Sequence, residues 1–165
     1  MTHPTPINEP ITGDSLVFVY GSLRSGLGNH RCMGDATLIS TAILSPEPGQ
    51  EFRMVSLGTF PALIDTDSET AAPATGEVYG ASPEVMANLD SLEGIAHGLY
   101  ERRRCMVTLE DRHLFAYVYI LADSDTAAPS VEGGDWLKYL AEQRKPATRW
   151  LRARWEDDLA RWSAL

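Results

Sequence analysis

The chain has 165 residues, of which 44% are hydrophobic and 22% are charged, and its formal net charge is −9. This length predicts a single domain with a sizeable core. The acidic balance argues against nucleic acid or an anionic membrane surface as the main partner, because both attract basic proteins. The longest apolar run, residues 114–122, is far shorter than the ~20 residues of a membrane-spanning helix. We therefore expect a protein that binds neither nucleic acid nor membrane.

The cysteines and histidines indicate neither a disulfide framework nor a metal centre. Cys32 and Cys105 are too few and too far apart for either. The four histidines are scattered along the chain, so we expect no metal site. Two unpaired thiols are typical of a reducing compartment, and we expect the protein to be cytoplasmic.

The predicted elements begin after a lead-in. Residues 1–14 contain three prolines and no signal-peptide pattern, which predicts a flexible segment. β-forming residues bounded by turn residues then predict strands over residues 16–20, 36–45, 51–56, 60–64 and 76–81. Pro61 makes the fourth strand a candidate edge strand, because proline has no N–H to donate.

The second half of the chain is predicted to hold a helix, a hairpin and two further helices. The helix runs from residue 83 to 92 or 93, the hairpin strands cover residues 100–109 and 114–121, and the last helices cover residues 136–143 and 147–162. Many strands, few helices and no regular β–α alternation predict an α+β fold, a small mixed barrel or sheet. A C-terminal helical extension, residues 146–165, follows Pro146.

The stretch over residues 16–30 is the first candidate binding site. Five apolar residues predict a buried strand, and the chain then breaks at Gly21 into Gly-Ser-Leu-Arg. Bare backbone N–H groups with Arg24 beside them can make an anion-binding nest. The alternative is an ordinary strand-to-helix turn that needs glycine for positive φ. Asn29 is placed to cap a short helix that begins near His30.

Glu93 is the candidate acid of the central helix. At about 100° per residue, Val85, Met86, Leu89 and Leu92 form an apolar arc that includes Glu93 and excludes Asp90. Burial and the negative end of the helix would both raise the pKa of Glu93 toward neutrality, where a general acid–base works best. The alternative is a surface residue beside a helix end. Glu77 is the second candidate acid, although its strand position favours a structural hydrogen-bond acceptor.

Several short motifs, in order, resemble those of the γ-glutamylcyclotransferase-like superfamily. The motifs are Tyr20-Gly21-Ser22-Leu23-Arg24 with Gly26 and Asn29-His30, Phe60-Pro61-Ala62-Leu63, Gly76-Glu77-Val78-Tyr79, Leu89-Asp90-Ser91-Leu92-Glu93-Gly94 with Tyr100-Glu101-Arg102, and Gly134-Asp135-Trp136. The first motif is most similar to the γ-glutamylamine cyclotransferase (AIG2-like) branch. The resemblance implies a cyclotransferase-like domain over residues 15–145.

The resemblance implies a reaction without metal, nucleotide or other cofactor. The α-amine of a γ-glutamyl amide attacks its own γ-carbonyl, which closes 5-oxoproline and releases an amine. Glu93 aligns with the catalytic acid–base of the family. The loop from Gly21 through Ser22 to Leu23 would bind the α-carboxylate of the substrate.

Three further side chains are candidates for the substrate-binding site. Tyr20 would form a wall of the site or donate a hydrogen bond, or it is simply a core tyrosine. Tyr100 would line the site. Arg24 is a candidate cation for the substrate, with a structural role as its alternative, and Arg102 is a second such cation.

Two other classes of function stay open on the sequence alone. A non-enzymatic module could use the Gly21–Leu23 loop to bind a small acid, and an interaction protein could use the tryptophan-bearing helix over residues 147–162. The expected partner is a small γ-glutamyl compound, and we expect a monomer or a weak homodimer.

Overall fold

A computed structural model describes residues 11–143. The chain divides into two compact units, and the first ends at Asp135. The described part of this first unit contains seven strands and one α-helix: β1 (Ser15–Val19), β2 (Thr37–Leu44), β3 (Phe52–Ser56), β4 (Pro61–Asp65), β5 (Ala74–Ala81), α1 (Pro83–Leu92), β6 (Tyr100–Leu109) and β7 (Arg112–Leu121). Short 3-10 turns cover His30–Met33, Ile95–His97 and Glu132–Gly134. A second unit begins at Trp136, and its residues 136–143 are helical. The predicted lead-in up to residue 10 and the predicted helix over residues 147–162 lie outside the described residues.

Five strands form a closed barrel in the order β1-β5-β2-β6-β7. The β6–β7 hairpin is paired over its whole length, from Tyr100 opposite Leu121 to Leu109 opposite Arg112. β5 is paired antiparallel to both β1 and β2. Two seams close the barrel with one residue pair each, Val17 with Tyr117 between parallel β1 and β7, and Ile43 with Thr108 between β2 and β6. The predicted α+β fold built on a small mixed barrel is confirmed.

The remaining two strands form a separate sheet beside the barrel. β3 and β4 pair antiparallel, and Pro61 stands at the end of the ladder opposite Ser56, where its missing N–H costs little. Arg103 of β6 donates hydrogen bonds of 2.6 and 2.7 Å to the two carboxylate oxygens of Asp65 at the end of β4. This bidentate ion pair connects the small sheet to the barrel.

Helix α1 begins and ends where its sequence indicates. The Ser82 hydroxyl accepts a hydrogen bond from the N–H of Val85 at 3.3 Å, and Pro83 takes the first helical position. Gly94 follows the helix in the left-handed conformation with φ 66°. The helix buries Val85, Met86 and Leu89 in the core. Leu92 is the exception to the predicted apolar arc: as the last residue of the helix it is 45% exposed.

Two further observations concern membrane-spanning helices and the two cysteines. No helix within residues 11–143 is both long and apolar enough to cross a bilayer. Both cysteines are free thiols. Burial raises the pKa of the Cys105 thiol to about 12.

Two glycines of β5 allow a test of the barrel packing. A Cβ at Gly76 would lie 2.4 Å from the carbonyl oxygen of Val19 and 2.6 Å from the ring of Phe18, whereas a Cβ at Gly80 would meet nothing nearer than 3.9 Å. We expect Gly76→Ala to lower the free energy of unfolding by about 1–3 kcal/mol through overpacking. Gly80→Ala should change it little or raise it slightly. Urea denaturation of both variants measures the difference, and equal stabilities would contradict this account.

Candidate active site

A cavity of about 230 Å³ opens where the end of β1, the end of α1 and the start of β6 meet. Six of the seven predicted site residues line it: Tyr20, Gly21, Ser22, Leu23, Glu93 and Tyr100. They come from three separate parts of the chain, which the barrel and helix bring together. The seventh residue, Arg24, does not line the cavity.

Glu93 is the titratable group of this cavity whose pKa lies near neutral pH. It directly follows α1 as the C-terminal cap, with φ −82° and ψ −2°. Burial raises the pKa of its carboxyl to about 7. Within residues 11–143 the carboxylate has no hydrogen-bond or ion-pair partner, so nothing there compensates its charge. A carboxyl with these properties can both accept and release a proton near neutral pH.

Two tyrosines lie beside Glu93. Burial, and then the Glu93 carboxylate, raise the pKa of Tyr100, so this phenol stays protonated. The Tyr20 hydroxyl donates a 2.7 Å hydrogen bond to the carbonyl of Tyr119 and accepts one of 3.2 Å from the N–H of Leu63. The single hydroxyl proton of Tyr20 is therefore committed to the backbone. Of the two predicted roles, this geometry favours a wall of the cavity over a donor to substrate.

The loop after β1 uses its own donors to satisfy its carbonyl groups. The carbonyls of Gly21, Ser22 and Leu23 accept from the N–H of Arg24, the N–H of Asn29 and the ring of His30, respectively, at 2.9–3.0 Å. Within the described residues, the N–H groups of Ser22 and Leu23 have no acceptor. Because both residues line the cavity, these two N–H groups are candidate donors for an anionic group.

Two details of this loop differ from the sequence expectation. Gly21 does not have positive φ; it is small because a Cβ there would lie 2.8 Å from Cγ of Pro61. Asn29 does precede the His30–Met33 turn, but its side chain forms no cap. Instead its amide donates to the Ser22 hydroxyl at 2.9 Å and closes the loop.

Arg24 is a structural cation. Its side chain is 6% exposed and donates to Glu77 Oε2 and to Asp135 Oδ1, both at 3.1 Å. Glu77 also accepts from the N–H of Ser25 at 2.9 Å and from the Tyr79 hydroxyl at 2.8 Å. Burial opposes ionisation of Glu77, but these hydrogen bonds outweigh it and hold its pKa below the ordinary value. The substrate-binding candidate Arg24 and the second candidate acid Glu77 thus connect the loop to β5.

Sequence reasoning missed the anchor of helix α1. Asp90, one turn before Glu93, accepts hydrogen bonds from fully buried Arg102 and, at 2.7 Å, from the Tyr119 hydroxyl. Tyr119 also lines the cavity. The hairpin register could have revealed this pair, because the turn at residues 110–111 places Tyr119 opposite Arg102.

A small α+β barrel whose cleft joins free backbone donors to an unpartnered carboxyl of near-neutral pKa has the parts of an acid–base enzyme. The model of the family described as "Gamma-glutamyl cyclotransferase, AIG2-like" matches residues 17–138. The chain belongs to this family of enzymes.

Individual relatives agree with this assignment. The chain is 30% identical over 129 residues to a Niallia circulans protein named gamma-L-glutamyl-butirosin B gamma-glutamyl cyclotransferase, a match covering 74% of this chain and 76% of that one. It is 28% identical over 121 residues to the gamma-glutamylcyclotransferase family protein YtfP of Escherichia coli K12, covering 73% and 95%. An AIG2-like protein from Mus musculus has the same fold, with a TM-score of 0.62 at 21% identity, covering 73% of this chain and 88% of that one.

The raised pKa of Glu93 predicts a pH-dependent cost to stability. Its folded-state pKa is about 7 against an ordinary 4.5, so the folded protein binds the proton more tightly and loses stability as pH rises from about 4.5 to 7. Glu93→Gln removes this titration. Allowing for partial solvent screening, we expect the wild type to lose about 2 kcal/mol relative to Glu93→Gln between pH 5 and pH 8.

Urea unfolding at the two pH values measures this difference. Glu84→Gln is the matched control, because Glu84 is an exposed acid in the first turn of the same helix. It should leave the pH dependence of the wild type unchanged. A Glu93→Gln protein that follows the wild type at both pH values would show that Glu93 titrates normally.

Proposed function

We propose that the protein is a γ-glutamylamine cyclotransferase, with Glu93 as its general acid–base. The observation that carries this proposal is the unpartnered Glu93 carboxyl. It has a pKa of about 7 and lies in the same cavity as the Gly21–Leu23 loop. The substrate class comes from the first motif, Tyr20 to Arg24, which resembles the γ-glutamylamine branch. Family membership supports the reaction type.

The loop and the carboxyl suit the two ends of an α-amino acid. The free N–H groups of Ser22 and Leu23 would donate to the α-carboxylate of the γ-glutamyl group. Glu93 would face the α-ammonium group and attract it as a carboxylate. With both groups held, the γ-carbonyl carbon lies within reach of the α-nitrogen of the same molecule.

Glu93 would then carry two protons, one after the other, from the α-nitrogen to the leaving nitrogen. Its carboxylate takes a proton from the α-ammonium, whose pKa is about 8. The freed amine attacks the γ-carbonyl carbon and forms the C–N bond of 5-oxoproline. As the bond to the leaving nitrogen breaks, the Glu93 carboxyl gives that nitrogen this first proton. The Glu93 carboxylate then takes a second proton from the attacking nitrogen, which becomes the ring N–H of 5-oxoproline, and passes it to the released amine, which departs as an ammonium ion. No water is consumed, and Glu93 ends as it began.

Orientation supplies much of the rate in such an intramolecular attack. Holding the reacting atoms in a near-attack geometry is worth ~7–11 kcal/mol of barrier. The closed barrel and the anchored helix would provide that rigidity, because one carries the loop that holds the α-carboxylate and the other leads directly into Glu93. The family name and the geometry of the cavity support this division of labour.

Replacing the Glu93 carboxyl tests the proposal directly. We expect Glu93→Gln to lower kcat for 5-oxoproline release from γ-glutamyl amines by about 10²–10⁴-fold, the usual contribution of a general acid–base. Glu84→Gln on the same helix should keep wild-type activity. Chromatographic quantification of 5-oxoproline from γ-glutamyl amines, γ-glutamyl dipeptides and glutathione gives both the rate and the ranking of leaving groups.

Two outcomes would redirect the proposal. If Glu93→Gln retains full activity, another group carries the proton. If the folded wild type binds the panel but releases no 5-oxoproline, the protein is a binding module for small acids. The pH profile provides an internal check, because kcat/KM should fall below about pH 7 as Glu93 becomes protonated.

A further inference from the structure

The mouth of the cavity carries an unusual share of the exposed apolar surface. Seven large hydrophobic side chains are exposed in the described part of the chain: Leu38, Ile39, Ile43, Phe60, Leu92, Leu99 and Phe115. Three of them line this one cavity: Phe60, Leu92 and Leu99, which are 42%, 45% and 55% exposed. They belong to the turn before β4, the end of α1 and the residue before β6. Convergence of three separate segments on one opening indicates a binding surface.

Backbone hydrogen bonds fix the segments that carry Leu99 and Phe60. The N–H of Leu99 donates to the carbonyl of Gly94 at 3.2 Å, and the carbonyl of Leu99 accepts from Ala122 at 3.0 Å. The carbonyl of Phe60 accepts from the N–H of Leu57 at 2.9 Å. A ligand that covers the apolar side chains of these segments removes them from water, which is favourable in free energy.

The lining of the cavity carries little formal charge. Of the described residues that line it, Glu93 carries the only formal charge, and no lysine, arginine or histidine is among them. In the proposed reaction Glu93 is occupied by the α-ammonium group of the γ-glutamyl part. A carboxylate on the leaving amine would find no cation there, and a second ammonium would find no further anion. Either charge would lose water without compensation.

We infer that the leaving group is an apolar amine, an uncharged alkyl or aryl amine whose carbon skeleton covers Phe60, Leu92 and Leu99. This inference rests on the proposed function and specifies its substrate. Amino acids and diamines are then poor leaving groups. Each methylene that contacts the three side chains should raise kcat/KM by about two- to fourfold.

Three amides of matched length provide the test. In γ-glutamyl-n-hexylamide the chain ends in a methyl group, in γ-glutamyl-cadaverine the same position is an ammonium, and in γ-glutamyl-5-aminopentanoate it is a carboxylate. We expect kcat/KM for the hexylamide to exceed that of both charged amides by about tenfold or more. Equal values, or a preference for a charged amide, would overturn the inference while 5-oxoproline release still supported the proposed function.

A charge placed at the mouth should redirect this preference. We expect Leu99→Asp to lower kcat/KM for the hexylamide by about tenfold and to raise it for the cadaverine amide, because the new carboxylate pairs with the terminal ammonium. Leu38→Asp is the matched control: Leu38 is 50% exposed but lies on β2, away from the cavity. It should leave the ranking of the three amides unchanged. Circular dichroism checks that both variants fold.

Binding separates failure of the inference from failure of the proposed function. If none of the three amides yields 5-oxoproline, the proposed function fails. Calorimetric titration of the wild type with the same amides then decides the inference. Binding of the hexylamide about tenfold tighter than both charged amides would support the apolar surface, and equal affinities would overturn it.

Discussion

The buried pair of Arg24 and Glu77 fixes the loop on which the rest of the site depends. Arg24 belongs to the loop and Glu77 to β5, and the carboxylate also holds the N–H of Ser25 and the hydroxyl of Tyr79. Glu77 is thus fully engaged by donors, which is the condition under which a buried ion pair is tolerated. In the same loop, the carbonyls of Gly21, Ser22 and Leu23 accept internal hydrogen bonds. The N–H groups of Ser22 and Leu23 have no acceptor among the described residues.

Glu77 and Glu93 show how one chain gives two carboxyl groups opposite properties. Glu77 is buried and Glu93 is half-buried, but Glu77 receives hydrogen bonds from an arginine, a tyrosine and a backbone N–H, and its pKa is lowered. Glu93 receives none from the described residues, and burial raises its pKa to about 7. Compensation, more than burial itself, decides which acid stays ionised and which exchanges protons. The permanent anion supports the fold, and the exchangeable one faces the cavity.

Local pattern was enough to predict most elements but not their side-chain partners. Ser82, Pro83 and Gly94 bound helix α1 because capping depends on neighbours in sequence. The β6–β7 hairpin was also predicted, although its second strand begins at Arg112 and not at residue 114. The same reasoning predicted that Glu93 is partly withdrawn from water at the end of the helix, where the structure has it half-buried as the C-terminal cap. Its role as the acid–base stays a prediction. Arg24 was different, since its partners lie 53 and 111 residues further along the chain. Leu92 was also misjudged, because an apolar arc on a helix does not reveal where the opening of a cavity interrupts the core.

A single residue pair, Val17 with Tyr117, joins β1 to β7. Past Val17 and Tyr117 the two strands supply Phe18, Val19 and Tyr119 to the wall of the cavity. There the Tyr20 hydroxyl reaches the carbonyl of Tyr119 and connects the strands by a side chain. The cavity wall therefore includes the stretch where β1 and β7 are no longer paired, and the Tyr20 hydrogen bond connects the strands there.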